Sequence, residues 1–361
     1  MDARIREHAE IVAEHSTDME AGDNVVINAP PLAEDLAVAL YEVVGDLGAN
    51  PVLLMQSARA KRGFLRARED FETPEHELAL IERSDVVVHI RGDENATETG
   101  DVDPETESAF SRAQQPVRQE RLAKRWCLTQ FPGPGNAQLA EMSTEAYENF
   151  VWDAINKDWA AQKAHQAQLV DILEDADEVR IVSGEGTDVT MSVADMIPLN
   201  DFGEHNLPGG EVFTAPVADS VEGPVHFDMP LYHSGREVQD VRLTFEGGEV
   251  VDHSAGKNEG LLTELLATDE GASRLGELGI GMNRDIDRFT YNMLFDEKMG
   301  DTVHMALGMA YEDCVPADRE RNDSAIHVDM IVDMAEDSHI TVDGEVIQRD
   351  GTFVFEDGFE E

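Results

Sequence analysis

Short apolar runs alternate with amphipathic segments along the first part of the chain. Residues 31–49 place apolar side chains at helical spacing, and residues 103–124 form a longer, more polar segment of the same kind. The apolar runs are bounded by turn residues and predict strands at 24–30, 51–56, 84–92 and 125–131. Because strands that alternate with helices are typical of a sheet covered by helices, we predict an α/β domain with a mostly parallel sheet.

The pattern changes in the middle of the chain. Residues 143–178 have helical periodicity, and Ser143 or Thr144 before Glu145 predicts the N-cap. We expect this helical segment to close the first domain. Beyond them, strand-like stretches alternate with Gly-rich turns. We therefore predict an α/β domain over 1–185 and an α+β, strand-rich domain over 186–361.

Two elements of the second part stand out. Residues 240–255 alternate around Gly247 and Gly248, which predicts a hairpin. Residues 258–277 have a helical pattern, and we expect strands to resume near residue 301.

The stretch AIHVDMIVDM, residues 325–334, combines apolar alternation with two polar side chains. Side chains alternate between the two faces of a strand, so Ile326, Val328 and Met330 share one face. His327 and Asp329 share the other face. Such a pair is either hydrogen-bonded within the core or provides two ligands for a metal ion, and the pattern leaves both interpretations open.

The formal charge of the chain is −49, from 27 Lys and Arg against 76 Asp and Glu. The acidic residues are spread along the whole chain, which predicts a charged surface over an ordinary core. Such a surface repels itself at low ionic strength, whereas about 1 M salt shortens the Debye length to about 3 Å. We therefore expect a halophilic source, and the charge disfavours nucleic acid or an anionic membrane as a partner.

Nothing in the sequence indicates secretion or membrane insertion. Two cysteines, Cys127 and Cys314, do not make a disulfide framework. The first 15 residues have the pattern of an amphipathic helix without the apolar core of a signal peptide, and no apolar run approaches membrane-spanning length. We expect a soluble, cytoplasmic protein.

Further candidate residues lie in three Gly-rich or apolar segments. Glu211 lies in NLPGGEVFTAP, Glu277 in RLGELGIGMN, and Glu297, His304 and Tyr311 in FDEKMGDTVHMALGMAY. Taken singly, each has an ordinary interpretation: a turn or surface glutamate, a hydrogen-bonded core histidine, a packed tyrosine. Only their joint occurrence favours a metal site. The chain has no dinucleotide fingerprint, P-loop, nucleophile elbow or HExxH zinc helix.

These segments, in this order and spacing, resemble the aminopeptidase T family, which includes the thermophilic aminopeptidases, aminopeptidase S and PepS. The earlier segments RWCLTQFP and AEMSTEAYENFV are also similar to that family. The resemblance covers most of the chain and is strongest from 125 to 331. Each motif is weak alone, but the ordered set is specific.

The resemblance implies a metal-dependent exopeptidase that acts on peptides with a free N-terminus and forms a homodimer. It implies two divalent metal ions per subunit (zinc, cobalt or manganese). Tyr311 matches the family's catalytic tyrosine, and Glu297 matches an acidic residue that is either a further ligand or the general base. By matching motif, the implied metal ligands are Glu211, Glu277, His304, His327 and Asp329.

Within this resemblance we expect Glu277 to bridge the two ions, because its glycine neighbours let the backbone approach closely. A water activated by the two ions would attack the scissile carbonyl, with Tyr311 donating a hydrogen bond to the developing oxyanion. Two alternatives stay open: a binuclear amidase acting on non-peptide substrates, and a metal-binding protein without catalytic activity.

Overall fold

The structure is a computed structural model that describes residues 2–68, 70–233 and 236–360. The chain forms two compact units. The first comprises Met1–Lys157 and Gly203–Gly209, and the second comprises Asp158–Phe202 and Gly210–Glu361. Each unit has its own sheet system.

A five-stranded parallel sheet forms the centre of the first unit, with the strand order β2-β1-β3-β4-β8. Its strands are β1 (Asn24–Ala29), β2 (Asn50–Met55), β3 (Val86–Arg91), β4 (Arg125–Gln130) and β8 (Asn206–Leu207). The central strands β1 and β3 carry unbroken buried Val and Ile runs, as expected for a parallel sheet covered on both faces. The predicted α/β fold with a mostly parallel sheet is therefore confirmed.

Helices connect these strands, and a π-helix at Ile11–Ser16 continues the first of them. The predicted helix at 31–49 consists of a 3-10 turn, Pro31–Ala33, followed by an α-helix. The α-helices of the unit are α1 (Ala3–Glu10), α2 (Glu34–Leu47), α3 (Ala58–Ala67), α4 (Glu75–Glu82), α5 (Pro104–Leu122), α6 (Pro134–Leu139) and α7 (Thr144–Ile155).

The second unit is rich in strands, as predicted. Its largest buried cluster lies among antiparallel sheets with the strand orders β17-β16-β15-β9-β7, β20-β19-β18-β5-β6 and β10-β13-β14. A two-stranded sheet, β11-β12, accompanies them. The strands are β5 (Glu178–Ser183), β6 (Thr187–Ser192), β7 (Leu199–Asp201), β9 (Glu211–Thr214), β10 (Gly223–Phe227), β11 (Leu231–His233), β12 (Arg236–Val238), β13 (Val241–Glu246), β14 (Glu249–Ser254), β15 (Leu275–Gly281), β16 (Thr302–Gly308), β17 (His327–Asp333), β18 (Ser338–Val342), β19 (Glu345–Arg349) and β20 (Thr352–Phe353).

Three α-helices and two 3-10 turns complete the second unit. The helices are α8 (Trp159–Glu174), α9 (Glu259–Leu266) and α10 (Met293–Asp296), and the 3-10 turns are Glu270–Ser273 and Glu312–Cys314. In the part of the chain that the structure describes, no helix is both long and apolar enough to cross a membrane.

The segment 143–178, predicted as one helical stretch, contains two helices. Helix α7 ends at Ile155, and α8 begins at Trp159 because the Asp158 side chain accepts a hydrogen bond from the Ala161 N–H. The compact units divide at this break. The predicted boundary near residue 185 falls instead in the turn between β5 and β6. The division into domains at 1–185 and 186–361 stays a prediction.

The predicted hairpin at 240–255 is confirmed as β13 and β14, with Gly247 and Gly248 both at positive φ in its turn. The predicted helix at 258–277 is wrong in its second half. Helix α9 ends at Leu266, and strand pairing begins with β15 at Leu275 rather than near residue 301. The segment LGELGIG is completely buried, and its glycines fit close strand packing rather than a helix.

Candidate metal centre

Four neighbouring strands of the sheet β17-β16-β15-β9-β7 position the candidate ligands. Glu211 begins β9, Glu277 lies on β15, and His304 lies on β16. His327 and Asp329 lie on β17. In the register of the sheet, Glu277 pairs with Ala306, and Ala306 pairs with Asp329. His304 lies two residues before Ala306 and opposite Gly279, so these side chains share one face.

Small residues occupy the positions between the candidate ligands on that face. A Cβ on Gly279 would lie 2.0 Å from ring atoms of His304, so the imidazole fills the space that a side chain on β15 would take. A Cβ on Gly281 would lie 2.0 Å from the Met299 carbonyl oxygen. The glycines of the local sequence Gly-Glu-Leu-Gly-Ile-Gly therefore leave space on this face for the polar side chains.

The five side chains form two groups that share Glu277. In the first group, His304 Nε2 lies 3.1 Å from Glu277 Oε1 and 3.3 Å from Glu211 Oε2. In the second, His327 Nε2 lies 3.5 Å from Glu277 Oε2 and 3.4 Å from Asp329 Oδ1. Within each group, one potential ligand atom per residue lies within 4.8 Å of the others. The two oxygens of Glu277 thus face two different groups.

The donor set fits divalent metal ions. Among the described residues, Glu211 Oε2 and Glu277 Oε2 are buried and have no hydrogen-bond partner, although carboxylate oxygens need one when they are removed from water. The His327 Nδ1–H donates to the Met309 carbonyl oxygen over 2.8 Å, which leaves Nε2 free to act as a ligand. Carboxylates and imidazoles without thiolates suit zinc, cobalt or manganese.

Burial and charge perturb the ionisation of this cluster when it holds no metal. Burial raises the pKa of Glu211 to about 8. Burial alone would lower the pKa of His304, but its hydrogen bond with Glu277 and the charge of Glu211 raise it to about 9. The pKa of His327 is raised to about 10, since the Asp329 and Glu277 carboxylates outweigh its burial. A metal bound by these residues would therefore displace protons from the imidazoles.

A buried lysine supports the first group. The Lys298 side chain is fully buried, with Nζ 2.9 Å from Glu211 Oε1 and 3.7 Å from Asp201 Oδ2. It also contacts the Glu297 carboxylate. Burial alone would lower the pKa of Lys298, but the surrounding carboxylates raise it well above its usual value. Lys298 therefore stays charged and holds Glu211 by one oxygen while the other faces His304.

Lys298 is not among the residues predicted from the sequence, because the neighbouring Glu297, taken singly, has the pattern of a surface glutamate. Asp296 and Lys298 are instead fully buried, and the Asp296 carboxylate accepts hydrogen bonds from the Thr290 and Asn292 backbone N–H groups. The signal in the sequence was the apolar run Met-Leu-Phe before DEK and the methionine after it.

Glu297 and Tyr311 lie beside the two groups rather than within them. The Glu297 carboxylate contacts Lys298 and belongs to neither group. The Tyr311 ring lies 4.9 Å from the His327 ring and 6.0 Å from the Phe213 ring, measured between centroids. Partial burial and the charges of Glu277 and Asp329 raise the pKa of Tyr311, so its phenol keeps its proton and can donate a hydrogen bond.

The chain belongs to the family described as thermophilic metalloprotease (M29), whose sequence model matches residues 1–359. This confirms the resemblance to the aminopeptidase T family and the prediction of a metallopeptidase.

Curated relatives and a solved structure agree with this family. Aminopeptidase 2 from Geobacillus stearothermophilus is 28% identical, and the match covers 98% of each chain. Aminopeptidase T from Thermus aquaticus is 32% identical over 69% of this chain and 68% of the relative. The fold matches the structure of wild-type AmpT from Thermus thermophilus with a TM-score of 0.87 and 24% identity, covering 98% of this chain and 99% of that one.

Proposed function

We propose that this protein is an aminopeptidase that uses two divalent metal ions to release N-terminal residues from peptides. The proposal rests on its family and on one observation: Glu277 offers one oxygen to each of two groups of buried ligand atoms. A carboxylate shared by two such groups could hold a pair of ions, which in two-metal hydrolases typically lie about 3.5–4 Å apart.

In this proposal, Glu211, Glu277 and His304 hold one ion, and Glu277, His327 and Asp329 hold the other. Ions bound there would act as Lewis acids that polarise the scissile carbonyl and lower the pKa of a water molecule. The buried, oxygen-rich site fits zinc, cobalt or manganese equally well.

The protein's own groups orient the ligands and handle protons. The Met309 carbonyl fixes the His327 ring, and Lys298 fixes Glu211. Tyr311 keeps its proton and donates a hydrogen bond to the substrate carbonyl oxygen as negative charge develops there. Glu297, which lies outside both groups, would take the proton from the attacking water and deliver it to the leaving amine as the peptide C–N bond breaks, rather than bind metal.

Selection for a free N-terminus would come from the binding of the substrate's α-amino group. One of the ions, or Glu297 as the carboxylate beside the two ligand groups, would bind a free amine, whereas an acetylated amine could bind neither. A binuclear amidase for non-peptide substrates would not require a free amine. A metal-binding protein without catalytic activity would hydrolyse neither the free nor the acetylated substrate.

The test is hydrolysis of leucine p-nitroanilide and of its N-acetyl derivative in concentrated KCl, before and after chelation. We expect hydrolysis of the free amine only, its loss on chelation and its return with zinc, cobalt or manganese. Equal hydrolysis of both substrates would favour the amidase. Full activity in metal-free protein would contradict the proposal. The halophilic source, the homodimer and the cytoplasmic location stay predictions.

A further inference from the structure

A crevice of about 820 Å³ opens in the first unit, at the carboxyl ends of β1, β2 and β3. Asn28, Gln56 and His89 contribute its floor, and helices α3 and α5 form its walls. The chain runs from β1 to β2 on one side and then returns to β3 on the other side of β1. The ends of β1 and β3 are therefore a topological switch point, where open α/β sheets bind ligands.

Three cations line this crevice although the chain carries a net charge of −49. They are Lys61 on α3 and Arg118 and Arg121 on α5. Among the described residues, none of the three has a carboxylate oxygen within 4.0 Å, the limit for an ion pair. By contrast, Arg62 and Arg66 on the same helix as Lys61 both pair with Asp101.

Arg121 is poorly compensated by the rest of the protein, although its guanidinium lies over the Trp126 ring, 5.8 Å from the centroid. Among the described residues, its Nε is buried without a hydrogen-bond partner. Burial and the nearby charges of Arg91 and Arg118 lower the pKa of Arg121. Arg118 is exposed, and within the described part of the chain its guanidinium donates only to the Ser111 carbonyl and hydroxyl oxygens, each over 3.3 Å. A like-charged pair of this kind costs stability unless an anion lies between its members.

The remaining lining indicates the kind of anion. Phe64 and Phe110 form an apolar wall with their ring centroids 6.2 Å apart, and Lys61 Nζ lies 5.5 Å from the Phe110 centroid. Two carboxylates, Glu77 and Glu107, also line the crevice but pair with none of its cations. The volume suits a small organic molecule rather than an inorganic ion.

We propose that this crevice binds a small organic phosphate or carboxylate, with its anionic group on Arg118 and Arg121 and its apolar part against Phe64 and Phe110. All the lining residues belong to the first unit, and none is a candidate metal ligand. The crevice is thus a second ligand site, independent of the proposed peptidase chemistry.

The experiment measures binding of phenyl phosphate, benzoate, inorganic phosphate and benzyl alcohol to the metal-loaded protein by calorimetry at fixed KCl concentration. We expect phenyl phosphate or benzoate to bind, and the tighter of the two identifies the anionic group. Inorganic phosphate and benzyl alcohol should bind at least tenfold more weakly. Equal binding of inorganic phosphate would overturn the assignment of an organic anion, and no binding by either aromatic anion would overturn the site.

Variants locate the binding. Arg118→Gln and Arg121→Gln should each lower the affinity for the probe at least tenfold. The control Arg59→Gln removes the same charge at an exposed position on α3 outside the crevice and should leave the affinity unchanged. All three should keep leucine p-nitroanilide hydrolysis. Without probe, Arg121→Gln should raise the melting temperature, because it relieves repulsion. Unchanged affinity in both crevice variants would overturn the proposal, as would a fall in melting temperature for Arg121→Gln, which indicates a structural role.

Discussion

Lys298 Nζ lies 2.9 Å from Glu211 Oε1, with the lysine side chain fully removed from solvent. A cation beside a candidate metal ligand weakens that ligand's charge, yet it also fixes one oxygen and leaves the other directed at His304. Asp201 and Glu297 share the same ammonium group, so the lysine neutralises carboxylates that would otherwise repel each other.

Replacing this lysine should be strongly destabilising. Lys298→Met removes the buried ammonium group from beside three carboxylates, and we expect a loss of about 3–5 kcal/mol in the free energy of unfolding. Urea denaturation in KCl measures it. The control is Lys257→Met, which removes a solvent-exposed pair with Glu237 and should cost less than about 1 kcal/mol. Similar losses in the free energy of unfolding for the two variants would show that the buried Lys298 stabilises the protein no more than an exposed ion pair does.

Gly279 should not tolerate a side chain. In Gly279→Ala the new Cβ would lie 2.0 Å from His304 ring atoms, and His304 is too buried to move aside. We expect loss of bound metal and of peptidase activity while circular dichroism still reports the sheet. Gly260→Ala, on helix α9 with no atom within 4 Å of the added Cβ, should keep both properties. Normal metal content in Gly279→Ala would contradict the packing described here.

Tyr311→Phe tests the proposed hydrogen-bond donor. The phenol is the group removed, and the ring contacts with Phe213 and His327 are kept. We expect kcat to fall by about 10²–10³-fold, the usual loss for one such donor. KM and metal content should change little. A variant that loses bound metal but keeps its kcat when loaded with metal would assign Tyr311 to positioning the ligands instead.

His8 should make the first unit sensitive to acid. Its Nε2–H donates to Thr129 Oγ1 over 2.8 Å, and that hydroxyl donates to the Leu207 carbonyl oxygen. Burial lowers the pKa of His8 to about 3 from an ordinary 6.5. Between these values only the unfolded chain binds the proton, so stability is complete above pH 6.5 and falls as pH decreases, by about 1.4 kcal/mol per pH unit.

The measurement is the free energy of unfolding of wild type and His8→Gln between pH 7 and 4.5 in KCl. Because glutamine does not titrate, we expect the variant to lose less stability with acid, so that the difference between the two proteins shrinks as pH decreases. Parallel pH profiles would mean that His8 does not carry this effect.

Sequence patterns predicted much of the fold because burial enforces periodicity. The runs of β1 and β3 are buried on both faces, and the alternation at 326–330 placed His327 and Asp329 on one face, where the structure holds His327 Nε2 and Asp329 Oδ1 3.4 Å apart. The second half of the predicted helix at 258–277 was wrong because helical spacing and a Gly-rich buried strand are hard to separate in a short segment.

Other features depend on partners distant in sequence. The apolar residues around DEK indicate burial, but the carboxylates of β7 and β9 that contact Lys298 lie about 90 residues earlier in the chain, so the sequence near DEK does not identify them. The crevice of the first unit likewise forms where α3 and α5 meet the ends of three strands. Local sequence patterns do not encode contacts between distant segments. The carboxylates around Lys298 and the crevice of the first unit were therefore found only in the structure.

The central claim is that Glu277 joins two metal positions. Its most direct test is the metal content of wild type and Glu277→Gln after dialysis against zinc, measured by plasma mass spectrometry in concentrated KCl. We predict two ions per wild-type chain and at most one in the variant, with the fold retained. One ion per wild-type chain, or two in Glu277→Gln, would contradict the account.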